Sequence, residues 1–350
     1  MTKPPSAAGS FDRVRRFRGS FLGLYRSRLD LLSVIPVAVV AFAVLARLLP
    51  PRSGPMALAM VLEVHLFIVV FVVLAPIALL ARARALGVAL VLVVVAGGGL
   101  FGSEWISLPS GGRHDLSVMT WNLQYGTRTA AETATRLEPV TVDVIALQEI
   151  EPDVAVAVEA DTTITTRYPY RAMTPRIGAY GVSILSRYPI ENVTSSDYPA
   201  YVKLTVDTPR GPVVVIDGHT LHADIETVTP LRIPIGYNSA FRDAGIAGIR
   251  VPIDATLASG DRLVVVGDFN TSPSETEFAV LTGGLRDTHG EVGEGPGWTW
   301  RPSRLTFLPL AFLRIDVQLT AGPIRPVSTS IDCSLTGDHC RLFGDYEIDD

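Results

Sequence analysis

The 350-residue sequence predicts three membrane-spanning helices followed by an α/β domain built as a layered sandwich. Three observations lead there. Long uncharged apolar runs are confined to the first 103 residues, short β-branched runs recur through the remainder, and helix-like segments lie between those runs.

The apolar runs cover residues 31–46, 64–81 and 85–103, with His65 their one titratable side chain. Each approaches the ~18 to 20 residues that a helix needs to cross a bilayer. The first is the shortest, but Leu48 and Leu49 extend it past Arg47, whose long side chain reaches the interface. Pro50, Pro51, Gly54 and Pro55 break the connection that follows. Glu63 reads as an interfacial residue, because an acid at the bilayer centre costs at least ~2.5 kcal/mol. A cleaved leader also pairs a basic segment with an apolar run, yet two further runs follow here.

Lys and Arg beside a membrane helix resist translocation, so their distribution sets orientation. Residues 1–30, a basic N-terminus, carry Lys3, Arg13, Arg15, Arg16, Arg18, Arg26 and Arg28, whereas the next loop carries only Arg47 and Arg52. Arg82 and Arg84 separate the second and third runs. With the N-terminus and the Arg82/Arg84 loop inside, everything after Ser103 lies outside. The expectation is a multi-pass cell-membrane protein with its large domain extracytoplasmic. Cys333 and Cys340 fall in that outer part, where a pair of cysteines reads as a disulfide, with two unpaired thiols as the alternative because closeness in sequence does not set the Cα separation a bridge needs.

Residues 31–102 thus hold the membrane helices, residues 103–115, with Pro109, Gly111 and Gly112, form a linker, and residues 116–350 make one domain. Buried strands are expected at residues 116–121, 142–147, 182–185, 213–216, 263–266 and 315–319. Helices are expected at 130–137, at 231–257 with breaks at Pro234 and Pro252, and at 274–281, where Ser272-Pro273 precedes Glu275 and Glu277. Residues 103–350 hold 19 of the 30 Lys+Arg and 32 of the 35 Asp+Glu, a net −13. Such a domain has no general electrostatic hold on a long polyphosphate, which counts against a nuclease gripping duplexes.

Polar residues recur where strands end. Asn122 follows the first strand and Glu149 the second; His219 follows 213–217; Asp268 and Asn270 end Val266-Gly267-Asp268-Phe269-Asn270; Asp316 follows Arg314-Ile315; Asp338-His339 lies near the C-terminus. Singly, each is an ordinary turn or solvated-loop residue. Together they are carboxylates, amides and imidazoles, a set suited to a hard cation and phosphoryl chemistry rather than to a thiol site. His114 and His289 read as exposed, and Trp298-Thr299-Trp300 as rim or core.

Thr120-Trp121-Asn122, Leu147-Gln148-Glu149, the run from Tyr180 to Ile190, Gly218-His219, Gly267-Asp268-Phe269-Asn270, Ile315-Asp316 and Asp338-His339 occur in that order. The collinear set resembles the endonuclease/exonuclease/phosphatase superfamily, with its DNase I-like and sphingomyelinase-like members. That resemblance implies a four-layered αββα sandwich with the site at the sheet ends. It implies that Glu149, with Asn122 and Asp338, binds Mg²⁺ or Mn²⁺, and that Asp268 orients or deprotonates the attacking water. Asn270 and His219 then contact the phosphate, while His339, paired to Asp316, donates to phosphoryl oxygens. Several relatives support the first histidine with an acidic residue where Tyr180 stands here, so the partner of His219 is open and His222 is a rival.

The expected function is metal-dependent hydrolysis of a phosphomonoester or phosphodiester outside the cytoplasm, on a lipid head group, nucleotide or short nucleic acid. No protein partner is predicted. The alternatives are a membrane-tethered extracellular nuclease and a catalytically silent binding or scaffold module. None of Glu149, Asp268, Asn270 or His339 is lost, as a silent module would be expected to show.

Overall fold

The computed structural model describes residues 28–106, 111–228, 233–307, 310–334 and 337–349. Most of the basic N-terminal segment that sets the predicted orientation lies outside these residues. The chain divides into two units, the first ending at Gly102 and the second holding Ser103–Asp350 together with Arg52–Leu58.

Three helices in the first part are long and apolar enough to cross a membrane: Arg28–Leu48, Glu63–Ala81 and Arg84–Trp105. The break expected after Leu49 is followed by a short helix, Gly54–Val61, and Pro55 fits its first turn because no donor is needed there. Glu63, 1% exposed, is ion-paired with Arg47, so neither apolar helix carries an uncompensated charge at that point.

Fourteen strands are described in the second unit, numbered in chain order. One six-stranded sheet has the order β13 (Ile324–Asp332), β14 (Arg341–Ile348), β1 (Leu116–Asn122), β2 (Val144–Gln148), β4 (Val182–Ser186), β3 (Tyr170–Thr174). The other has the order β11 (Arg286–Asp287), β12 (Asp316–Ala321), β10 (Leu263–Asp268), β7 (Gly211–His219), β6 (Ala200–Thr208), β5 (Ile190–Asp197). Strands β8 (Asp224–Val228) and β9 (Ile233–Asn238) form a separate two-stranded ribbon.

The near-continuous apolar runs are explained by burial on both faces, with successive side chains pointing to opposite sides. Val264 and Val266 of β10 face the other sheet and join Val118, Val144, Ile184, Val202 and Val215 in the core between the sheets. Leu263 and Val265 face outward and pack under Ile246, Ile249, Ile253 and Phe278 of the helices Ala240–Ser259 and Thr276–Thr282. On the far side Met119, Trp121, Ile145 and Leu147 pack under Leu137, Val154 and Ile164 of the helices Ala130–Leu137, Pro152–Ala160 and Thr162–Arg167. The domain is therefore the four-layered αββα sandwich. Helix Ala130–Leu137, expected from the sequence, begins with a capping box in which Thr129 and Glu132 satisfy each other's backbone donors.

The expected helix at 231–257 is corrected. Ile233–Asn238 is a strand, and the helix begins at Ala240. Pro234 pushes Ile233 into extended backbone, whereas Pro252 sits inside the helix because the buried Ile246, Ile249 and Ile253 hold it against the sheet. His289, expected to be exposed, is buried, and its Nε2 lies 3.0 Å from the Gly295 carbonyl. The surrounding glycines make room for the ring, since a Cβ at Gly293 would stand 2.2 Å from it.

Candidate active site

The strand registers bring the predicted residues to one end of the sandwich. Asn122 closes β1 and pairs in parallel with Gln148, placing Glu149 at the next step. Asp268 closes β10 and pairs with His219 at the end of β7 and with Asp316 at the start of β12. Strands β7 and β10 approach closely at Gly267, φ +138°, where a Cβ would lie 1.9 Å from the Gly218 carbonyl oxygen. Only glycine fits there.

The Asn122 Nδ2 amide joins the two sheets, donating to Glu149 Oε1 at 3.0 Å and to Asp268 Oδ2 at 2.9 Å. Its Oδ1 accepts the Gln124 N–H. Asp268 Oδ2 is the meeting point of the cluster, with His339 Nε2 at 3.6 Å and His219 Nε2 at 3.7 Å. The other oxygen, Oδ1, accepts the Asn270 N–H at 2.9 Å. His339 Nδ1 lies 2.9 Å and 3.1 Å from the Asp316 oxygens. Glu149 Oε2 accepts the Tyr125 N–H, and Glu149 Oε1 stands 3.6 Å from His219 Nε2. Glu149 and Asn270 both have left-handed backbone, φ 57° and 51°. This strain costs on the order of 1–3 kcal/mol per residue and is held by the surrounding hydrogen bonds.

The partner of His219 left open by the sequence is the Ala179 carbonyl, 2.6 Å from Nδ1. Nε2 is buried and has no hydrogen-bond partner among the described residues. The rival, His222, is exposed, with its Nδ1 2.9 Å from the Ala223 carbonyl. Asn270 Nδ2 donates to the Thr220 carbonyl, which fixes its amide at the rim.

The charges follow from burial and from each other. Burial and the Asp316 charge raise Asp268 to about 6, against the opposing pull of His339, His219 and the Asn122 amide. Burial alone would make His339 a weaker base; the Asp316 and Asp268 charges and the Asp316 hydrogen bond reverse this and carry it to about 10. His339 is therefore an imidazolium at neutral pH. Asp338 is raised by burial and by the Glu149 charge, with His339 opposing.

Ligand atoms of Asp268, Asp316 and His339 lie within 4.8 Å of one another, a spacing compatible with a cation. These three are already paired through an imidazolium, which a cation would have to displace. The better fit is beside Glu149. Among the described residues Asp338 Oδ1 is buried with no hydrogen-bond partner, and burial together with the Glu149 charge disfavours its carboxyl as an anion. A divalent cation with oxygen ligands relieves both.

Sequence reasoning missed the supports of this cluster. The Arg301 side chain donates to the Gly337 carbonyl at 2.9 Å and to the Cys333 carbonyl at 3.3 Å, and its backbone N–H donates to the Asp338 carbonyl. Thr299 Oγ1 accepts the Asp316 N–H at 3.1 Å, and Trp300 bridges to His339. Cys333 and Cys340 are disulfide-bonded, closing the segment that carries Asp338 and His339. An isolated arginine and a carbonyl such as that of Ala179 give no residue-type signal.

Two facing mixed sheets with this Asn/Glu/His/Asp cluster at their ends define a phosphoester-hydrolase fold. The Endonuclease/Exonuclease/phosphatase family model matches residues 119–339, and the chain belongs to that family. Its members hydrolyse phosphate esters and generally use divalent metals. Among solved structures, the 3' phosphatase NExo from Neisseria, bound to a product DNA hairpin, is 17% identical with TM-score 0.52, covering 66% of this chain and 99% of that one. A 3'-5' exonuclease (NExo) from Neisseria meningitidis is 19% identical with TM-score 0.50, covering 67% and 100%. Truncated TDP2 from Caenorhabditis elegans is 16% identical with TM-score 0.50, covering 66% and 97%. At these identities the likeness establishes the fold alone. No curated protein sequence gives a match.

Proposed function

We propose that the chain is a membrane-anchored, Mg²⁺- or Mn²⁺-dependent phosphoesterase whose catalytic domain works outside the cytoplasm. The observation that carries this reading is the convergence of Asn122, Glu149, His219, Asp268, Asp316 and His339, from strand ends of both sheets, at one end of the sandwich around Asp268. Glu149, Asn122 and Asp338 are the residues that would hold the cation. When bound, it would supply a Lewis acid for the phosphoryl oxygen.

Asp268, ionised above about 6, is placed to orient a water and take its proton. His339, kept cationic by Asp316, presents Nε2–H to the phosphoryl oxygens as charge builds on them. His219, whose Nδ1 is turned to Ala179, offers Nε2 to the same group, and Asn270 borders it. Lipid head groups, nucleotides and short nucleic acid are the substrate classes; the −13 balance of residues 103–350 weighs against long duplexes. The extracytoplasmic side is inferred from the Lys and Arg excess before Asp30.

The test is turnover of bis-p-nitrophenyl phosphate by the full chain in detergent. Asp268→Ala and His339→Ala are expected to lose orders of magnitude in kcat with the far-ultraviolet circular dichroism unchanged. Full activity in either would overturn the mechanism.

A further inference from the structure

Beside His219 the sandwich end opens into a groove of about 400 Å³ walled by Arg176, Ile177, Tyr180, Asp197, Tyr198 and Phe241. It adjoins the catalytic cluster through two turns, one before β4 and one between β5 and β6. Tyr180 follows Ala179, whose carbonyl faces His219 Nδ1, and Tyr198-Pro199 leads into Ala200, the ladder partner of His219. Tyr198 stacks on Phe241 at 4.9 Å and meets Tyr180 edge-on at 6.5 Å. Arg176 and Asp197 pair with each other at 2.8 Å, so the wall carries no net charge.

The apolar surface does not stop at the groove. Phe241 follows the β8–β9 ribbon closely, and that ribbon displays Ile225, Val228, Ile233 and Ile235 at 51%, 48%, 52% and 47% exposure; Ile177 is 85% exposed. Exposed branched aliphatic and aromatic side chains in the groove and on the ribbon that leads into its Phe241 mark an interaction surface. The occupant follows from the chain itself. Ten residues separate the apolar helix ending at Trp105 from β1 at Leu116, a span of at most about 35 Å when fully extended. A bilayer is thus an apolar phase always within reach, and tyrosines with a polar tip suit its interface.

We propose that this rim is a lipid-docking face. The ribbon and the groove aromatics seat in the bilayer interface, and the groove takes the apolar part of a phospholipid whose phosphate ester lies against His219 and Asp268. The substrate half rests on the phosphoesterase reading, and the docking half rests only on the membrane-anchored part of it.

The full chain is reconstituted in nanodiscs of phosphatidylcholine, phosphatidylethanolamine and phosphatidylglycerol with nitroxide-labelled acyl chains. Cys333 and Cys340 are bonded to each other, so one introduced cysteine takes the fluorophore. Labels at Ile235→Cys and Ile177→Cys are expected to be quenched severalfold more than one at Val280→Cys, an exposed site on helix Thr276–Thr282. Equal quenching at all three overturns the docking face. In unlabelled discs, Ile225→Ser with Ile235→Ser is expected to lower phospholipid hydrolysis by an order of magnitude and to retain turnover of soluble bis-p-nitrophenyl phosphate. Equal loss on both substrates, or a parent chain that cleaves only the soluble ester, overturns the substrate half. A parent inert on both counts against the phosphoesterase reading, and quenching still decides docking.

Discussion

Asp316→Asn preserves the shape of the side chain and removes one charge from beside a buried imidazole. In the native chain burial weakens His339 as a base, and the Asp316 and Asp268 carboxylates more than offset that, holding its pKa at about 10. Moving an imidazole from 6.5 to about 10 corresponds to roughly 5 kcal/mol of preference for the charged form, at about 1.4 kcal/mol per pH unit. Breaking one partner of a buried pair typically costs about 3–5 kcal/mol, so a destabilisation of that order is expected at neutral pH. The folded pKa lies above the unfolded value. The contribution is therefore complete below about pH 6.5 and is lost as pH rises through about 10. Thermal unfolding of the wild-type and Asp316→Asn domains, followed in the full chain by tryptophan fluorescence, should show a wide gap at pH 6 to 7 that narrows above pH 10. The alkaline limb of the kcat profile should move from near pH 10 toward neutrality. An equal gap at both ends of the range, or an unmoved limb, would refute the paired-imidazolium account.

Further outcomes follow from the same geometry. Asp268, raised to about 6 chiefly by burial, should give an acid limb in kcat/KM near that pH, with activity rising as the carboxylate ionises; a flat profile from pH 4.5 to 7.5 would contradict its role as base. The disulfide spans a sequence separation of 7, and loop-closure entropy predicts that Cys333→Ser with Cys340→Ser costs roughly 2.5 kcal/mol. Because the closed segment carries Asp338 and His339, the double variant should also lose activity while the rest of the domain stays folded. Chemical denaturation and turnover, measured together, check both effects.

The central strands and the residues at their ends were legible because burial on both faces leaves apolar runs broken abruptly by one polar residue, as at Val266-Gly267-Asp268. Strands with mixed exposure escaped. β5 presents Glu191, Asn192 and Thr194 to solvent, and β14 alternates Arg341 and Asp345 with buried residues, so neither reads as an apolar run. Ile233–Asn238 was taken into a helix because its spacing of apolar residues, cut by Pro234, fits either period over so short a span. Within the site, residue types were readable but their supports were not. The Ala179 carbonyl, the Tyr125 N–H and the Arg301 clamp act through backbone atoms or from remote loops, and tertiary structure alone brings them to the cluster. Glu149 in left-handed backbone is similarly invisible in sequence, where nothing marks it apart from any carboxylate after a strand.

The most direct measurement is hydrolysis of bis-p-nitrophenyl phosphate by the full chain with Mg²⁺, with Mn²⁺ and with EDTA, beside Glu149→Ala under the same conditions. The account predicts turnover that EDTA abolishes, that either metal restores, and that Glu149→Ala loses while the fold is retained. Turnover indifferent to EDTA, or undiminished in folded Glu149→Ala, would contradict it.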